Sequence, residues 1–305
     1  MTVHHHFSVL GPLRVHGTNG PVRLGGNRQR ILLTMLLLEA NRVVGAERLI
    51  EAIWSDSPPA TVRGQLRICI SGLRRILSAA HVGVSIETHP SGYLIRMPRT
   101  ALDLASFEDF LGEARAEERA GEPERAVARL EEALDLWHGQ MGAGLGSELL
   151  DTATLKIHED RLAAIEDRFR LELALGRHRQ VVGELTLHVR ENPYQERLCA
   201  QLMVALHRSG RSAEALALYQ ETRRRLSREL GLEPGLEVRR TERMILNAGR
   251  SGPYSGLPAP ASAPEAFPGA MVTTPSAQDR IALLERELAE LRRERAGAGS
   301  DLRHP

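Results

Sequence analysis

The period of the apolar residues changes several times along the first hundred positions. Phe7-Ser8-Val9-Leu10, Leu13-Arg14-Val15 and Val22-Arg23-Leu24 are short apolar stretches, with a glycine-bounded turn from Gly17 to Gly20, and they predict a small antiparallel sheet. From Asn27 to Ala40, Ile31, Leu32, Met35, Leu36 and Leu38 recur at helical spacing, and Leu49, Ile50 and Ile53 mark a second helix from Ala46 to Trp54. Ser57-Pro58-Pro59 restarts the chain. Because proline is tolerated in a first helical turn, a third helix is expected from about Ala60 to Ala79, with Val62, Leu66, Ile70, Leu73 and Leu77 on one face. The alternation Ile86-Glu87-Thr88, the turn His89-Pro90-Ser91-Gly92 and the run Tyr93-Leu94-Ile95-Arg96 predict a hairpin between Val84 and Met97. Three helices and a hairpin are the plan of a winged helix-turn-helix, whose third helix fits the major groove of DNA. A small α+β domain whose arginines are merely solvated has the same element order.

From Leu102 to about Gly249 the pattern becomes amphipathic helix punctuated by glycine. Gly121-Glu122-Pro123-Glu124-Arg125-Ala126-Val127 resembles Gly210-Arg211-Ser212-Ala213-Glu214-Ala215-Leu216, and Gly176-Arg177-His178 opens a comparable turn. The 34 residues from Gly176 to Gly210 match the period of tetratricopeptide-like helix pairs, which stack into protein-binding surfaces. A helical bundle with coincidental spacing is the alternative. The expected organisation is a mainly α chain: a winged helix-turn-helix over 1–100, an all-α tetratricopeptide-like domain over 101–249 and a Pro/Ala/Ser/Gly-rich linker over 250–277. A short coiled-coil-like helix over 278–296 and a disordered tail over 297–305 complete it. In that coil Ile281 and Leu288 take heptad position a, and Leu284 and Leu291 position d. The pairs Arg280 with Glu285 and Glu287 with Arg292 would then favour a parallel homodimer.

The formal charge of +1 conceals an asymmetry: residues 1–100 carry +7, 101–250 carry −5 and 251–305 carry −1. That distribution points the first domain at a polyanion. Cys69 and Cys199 each sit inside an apolar helical pattern and read as small buried hydrophobes rather than a disulfide or metal pair. The triplet His4-His5-His6 has no second ligand cluster, so no metal or other cofactor is expected. No apolar run is long enough to span a bilayer and Met1 to Leu10 lacks the features of a signal peptide, giving a cytoplasmic expectation. Lys156, the only lysine, lies in a helical pattern and cannot complete a phosphate-binding Walker loop. Gly142, Gly144 and Gly146 follow no strand and read as an interhelical loop. No catalytic motif appears and no enzyme is expected.

Over roughly residues 7–247 the chain resembles the Streptomyces antibiotic regulatory proteins, which join a winged helix to a bacterial transcriptional activator domain. The resemblance rests on Leu10-Gly11-Pro12-Leu13, Arg28-Gln29-Arg30, Asn41-Arg42-Val43-Val44, Leu49 to Trp54, Ser71-Gly72-Leu73-Arg74-Arg75 and Gly92-Tyr93-Leu94. Ala133 to Gly139, Leu175-Gly176-Arg177-His178 and Glu229 to Gly235 continue it. It implies an activator that binds direct repeats at promoters of specialised-metabolite genes and recruits RNA polymerase. Trp54 reads as a core anchor, while Ser55, Asp56 and Ser57 fall in the loop that touches polymerase in related winged helices. A protein-binding adaptor whose winged helix has decayed is the competing reading.

The side of the third helix opposite its apolar face carries Gly64, Arg67, Ile68, Ser71, Gly72, Arg74 and Arg75. Arg67 is the best candidate for bidentate contact with guanine, and Ser71 for a base or phosphate. Arg63, Arg74 and Arg75 are candidates for the DNA contact surface, the last two for backbone phosphates. Arg28 and Arg30 sit where a first helix faces the backbone, and His89 and Ser91 belong to the wing turn. Gly64 and Gly72 replace residues that are usually polar or basic in the resembled family, and cost roughly 1 kcal/mol each in helix propensity; they read as lost contacts, with close approach to the backbone as the alternative.

Overall fold

The computed structural model describes residues 5–250. The 250–277, 278–296 and 297–305 segments, with Ile281, Leu284, Leu288 and Leu291, lie outside the described residues, apart from Arg250 at the end of the last helix.

Strands β1 (Phe7–Ser8), β2 (Arg14–Gly17) and β3 (Gly20–Pro21) form an antiparallel meander in that order. The third strand falls two residues before the expected Val22-Arg23-Leu24. Pairing starts directly off the turn, with Gly17 opposite Gly20 and His16 opposite Pro21. After a last bond from the Val22 N–H to the Val15 carbonyl (2.8 Å) the chain leaves the sheet for the next helix.

Helix α1 (Asn27–Leu38) buries Ile31 through Leu37. It stops two residues before Ala40 because Asn41 adopts a left-handed φ of 63°. The Asn41 side-chain amide then donates to the Met97 carbonyl (2.9 Å) and accepts from its N–H (3.0 Å). Strand β4 (Val44–Gly45) leads into α2 (Ala46–Trp54), and α3 (Val62–Ala79) precedes the hairpin β5 (Ser85–His89) and β6 (Gly92–Arg96). The second sheet has the order β4-β6-β5. Helix α3 begins at Val62, not Ala60: Ala60 and Thr61 form a turn ahead of it, closed by the Val62 N–H on the Pro59 carbonyl (2.9 Å).

A short 3₁₀ turn (Arg99–Ala101) opens the helical part: α4 (Asp103–Arg119), α5 (Pro123–Asp135), α6 (Glu148–Ala174), α7 (His178–Glu191), α8 (Glu196–Arg208), α9 (Ser212–Leu230) and α10 (Leu236–Arg250). The resemblance among the glycine turns has a structural counterpart. Gly121, Gly176 and Gly210 have φ of 78°, 77° and 83°, and each closes its helix with the same pair of backbone bonds. At Gly176 these run from Gly176 N–H to Leu173 O and from Arg177 N–H to Glu172 O. That is a Schellman-type end, which a side chain at the left-handed position would strain.

The hydrophobic core does not divide at residue 100. One cluster runs from Phe7 through the winged helix to Leu130, Trp137, Leu150 and Leu171, and a second runs from Ile165 and Phe169 to Val238 and Ile245. The 27-residue α6 contributes to both. Polar contacts tie the same junction. The buried Asp103 carboxylate accepts from the N–H groups of Val9, Leu10 and Leu104 at 2.7–3.1 Å, and the His138 N–H donates to the Leu10 carbonyl (2.8 Å). The loop holding Gly142, Gly144 and Gly146 lies between α5 and α6. Its Leu145 carbonyl accepts from the Asn27 amide at 2.7 Å.

Cys199 is buried against the Thr222 hydroxyl (3.1 Å), and burial pushes its thiol up to about 11. Cys69 is half-buried, and neither cysteine forms a disulfide. His5 bonds Ser106 and His6 bonds the His16 carbonyl. Among the described residues no group of His, Cys, Asp and Glu is placed to hold a metal ion, and no helix is long and apolar enough to cross a membrane.

Candidate nucleic-acid interface

Helix α3 buries Leu66, Ile70, Leu73 and Leu77, so at 3.6 residues per turn the opposite stripe is Gly64, Ile68, Ser71 and Arg75. All four are exposed. Arg67 lies one step round, also exposed, on the side that leads to the wing. Neither Arg67 nor Arg75 has a hydrogen bond or ion pair among the described residues. Arg63, in the first turn, meets Glu47 at 2.5 Å, both side chains more than 70% exposed. Such a pair contributes little and can open to a phosphate.

Two residues expected on this surface are turned elsewhere. Arg74 donates from Nε to the Ile86 carbonyl (2.7 Å) and from Nη2 to the Thr88 hydroxyl (2.8 Å). The guanidinium expected to hold a phosphate therefore fastens strand β5 to α3. Gly72 faces α1 rather than solvent. A Cβ there would come within 2.4 Å of the Gln29 amide nitrogen, so this glycine makes room for Gln29. At Gly64, by contrast, a Cβ would meet nothing within 4 Å.

The flanks are held by short-range contacts. Arg28 lies 5.3 Å from the Trp54 ring centroid and donates to the Gln65 side chain (3.2 Å); Arg30 is half-buried further along α1. Trp54 is half-buried and packs on the core. Beyond it Ser55, Asp56 and Ser57 are exposed, and Ser55 takes a left-handed φ of 49° with its N–H on the Glu51 carbonyl (2.8 Å). The wing turn exposes His89 and Ser91, and the Ser91 carbonyl accepts from the Ala46 N–H (3.0 Å), pinning the turn to the start of α2. Gly92 makes that contact possible: a Cβ would lie 1.9 Å from the Val44 carbonyl. In the wing itself Arg96 Nε meets Glu87 at 2.8 Å, a bond that holds the Glu87 carboxyl below its ordinary range.

Residues 20–95 match the family described as "Transcriptional regulatory protein, C terminal", and residues 102–246 match "Bacterial transcriptional activator domain". The regulatory protein DnrI of Streptomyces peucetius is 33% identical over 269 residues, which cover 84% of this chain and 97% of DnrI. The chain belongs to the Streptomyces antibiotic regulatory protein family of transcriptional activators. AfsR of Streptomyces griseus, another member, is 39% identical over 79% of this chain, but the match spans only 24% of AfsR. The chain thus spans about a quarter of the length of AfsR. Among solved structures, Mycobacterium tuberculosis EmbR in complex with a low-affinity phosphopeptide superposes with a TM-score of 0.74 at 32% identity, over 79% of this chain and 64% of that one. Family membership places the winged helix in a class of DNA-binding regulators.

Sequence reasoning put Ile68 on the groove side of this family member's third helix without giving it a role. At 71% exposure it is the most exposed large apolar side chain among the described residues. The signal was present in the helical wheel, where Ile68 breaks the polar face, but only the structure shows how far it is exposed among the described residues.

Proposed function

We propose that the chain is a sequence-specific transcriptional activator that lays α3 in the major groove. In this reading it binds direct repeats at promoters of specialised-metabolite genes and recruits RNA polymerase. The observation that carries it is the exposed stripe of α3. Among the described residues Arg67 and Arg75 have no hydrogen bond or ion pair there, while the elements around them are held by the wing, Trp54 and the shared core. Arg67 and Ser71 would read base edges. Arg75, Arg63, Arg28 and Arg30 would hold phosphates on either side, with His89 and Ser91 at the neighbouring groove. Ser55, Asp56 and Ser57, exposed on a strained turn beside the core-packed Trp54, would meet the polymerase holoenzyme. Coil-mediated homodimerisation rests on the sequence pattern at Ile281, Leu284, Leu288 and Leu291.

The test is titration of the full-length chain against duplexes containing one and two copies of a selected site at several salt concentrations. Phosphate neutralisation releases counterions, so affinity should fall steeply with salt. Tighter binding to tandem than to inverted copies would support direct repeats. Weak binding with a flat salt response would overturn the DNA-reading function in favour of the adaptor.

A further inference from the structure

We infer that Ile68 is a specificity-determining residue that packs on the 5-methyl group of a thymine in the major groove, with Gly64 and Ser71 letting the α3 backbone approach the bases. The inference rests on the DNA-binding reading above and adds to it which chemistry one position of the site must carry.

Position comes first. Ile68 points directly away from the buried ridge of Leu66, Ile70, Leu73 and Leu77, so it stands at the centre of the outward face and not at an edge that a small repacking would cover. Its neighbours one turn away, Gly64 and Ser71, are small, and Ile68 therefore projects beyond the surface around it. A lone exposed apolar residue is ordinary on most surfaces. Here it shares the outward stripe with Arg75, and the exposed Arg67 flanks that stripe, on a face suited to a polyanion. The floor of the major groove offers such a side chain one apolar group, the thymine methyl. Being β-branched, isoleucine is also restricted at χ1, which limits the entropy lost on docking.

Gly64 is compatible with that position. A glycine inside a helix costs roughly 1 kcal/mol relative to alanine, and the folded chain does not require one at this position. Its φ is not left-handed and a Cβ would meet nothing within 4 Å. Gly72, on the same helix, lies against the Gln29 side chain, whereas among the described residues Gly64 touches nothing that requires a glycine, as is also true of Gly112 in α4 and Gly183 in α7. On the outward face of α3 its missing side chain leaves room for close approach to an external surface, which would bring the flanking Ile68 down to the base edges.

The experiment begins by selecting bound duplexes from a random pool with the full-length chain. Each thymine of the enriched site is then replaced in turn by deoxyuridine, which lacks only the 5-methyl group, and affinities are measured for wild type and Ile68→Ala. One position should lose about fourfold in wild-type affinity, the value of one buried methyl-sized group. Ile68→Ala should lose nothing further at that position while keeping its sensitivity to all other base changes. Wild-type indifference to deoxyuridine at every position, equal sensitivity in the variant, or an enriched site with no thymine would each overturn the proposal. A chain that binds random duplexes with a steep salt response yet enriches no sequence would also overturn it, leaving backbone binding intact. Absence of any binding would overturn the DNA-reading function itself, and Ile68's role with it. Because Ile68 is exposed, the variant should keep the wild-type melting temperature, which separates a lost contact from a lost fold.

Discussion

The Ser147 hydroxyl donates to the Ala52 carbonyl across 2.7 Å in a buried position, joining the start of α6 to the last turn of α2. The carbonyls of a helix's last turn have no intrahelical donor. The same hydroxyl caps α6 by accepting from the Leu150 N–H (3.3 Å). Ser147→Ala should remove both bonds and strand the Ala52 carbonyl, destabilising the chain by about 1–3 kcal/mol. Urea unfolding measures this, and an unchanged midpoint would show that the joint does not depend on the hydroxyl.

Asp103 should make stability depend on pH in the opposite sense to most carboxylates. Burial pushes its carboxyl up to about 6, although the N–H groups of Val9, Leu10 and Leu104 pull the other way. With the folded value above the ordinary 3.8, the folded chain takes up a proton between about pH 6 and pH 4 that the unfolded chain does not. This group's contribution to stability therefore grows as the pH falls through that window and is constant above it. Asp103→Asn cannot titrate and turns an amide N–H toward backbone donors, so it should be destabilised at pH 7. Its deficit against wild type should widen by pH 4. A deficit that narrows on acidification would contradict the assignment.

The arginines of α3 should separate by role. Arg67→Ala should cost about 1–3 kcal/mol on the selected site and relax preference at one base pair, whereas Arg75→Ala should weaken all sequences alike and lower the salt slope by about one. Arg74→Ala should appear chiefly in thermal unfolding, at about 1 kcal/mol for the lost wing bonds. Competition binding with specific and random duplexes distinguishes the three, and a purely base-specific defect in Arg74→Ala would contradict its role in the wing.

Two glycines should respond oppositely to alanine. Gly92→Ala would force strands β4 and β6 apart, because the Val44 carbonyl occupies the space of the new Cβ, and a loss of about 2 kcal/mol or more is expected. Gly64→Ala enters open space and should stabilise α3 by up to about 1 kcal/mol. Calorimetry on the two variants checks the signs.

The long helices were legible because their apolar periodicity is strong. The bounds of α2 at Ala46 and Trp54 follow from Leu49, Ile50 and Ile53 alone. Strand β4 was not, since the two residues Val44 and Gly45 cannot display an alternation, and its existence depends on pairing with Tyr93 and Gly92 far along the chain. The candidate interface was read with the same unevenness. Arg67 and Ser71 are exposed where the helical wheel put them, but a wheel cannot show that Arg74 bends back to Ile86 or that Gly72 faces Gln29. Both outcomes are set by neighbours from other segments. The junction through Asp103 was invisible for the same reason: a single aspartate at the start of a helical pattern looks like an ordinary first-turn acid.

Helix α6, at 1.5 Å per residue, is a rod of about 40 Å that packs on the first core from Leu150 to Leu171 and meets the second along its C-terminal part through Ile165, Phe169 and Leu173. One unbroken helix thus joins the core that holds the winged helix to the core of the α7–α10 surface. For two copies on tandem sites, this unbroken helix carries the orientation of each winged helix to its own α7–α10 surface, so a change in site spacing turns the two surfaces relative to each other. Inserting about half a helical turn of DNA, roughly 5 base pairs, would swing the second head to the far side of the duplex. Cooperative occupancy that depends on contact between these surfaces should oscillate with spacing, whereas cooperativity carried only by a coil beyond the 250–277 linker should not.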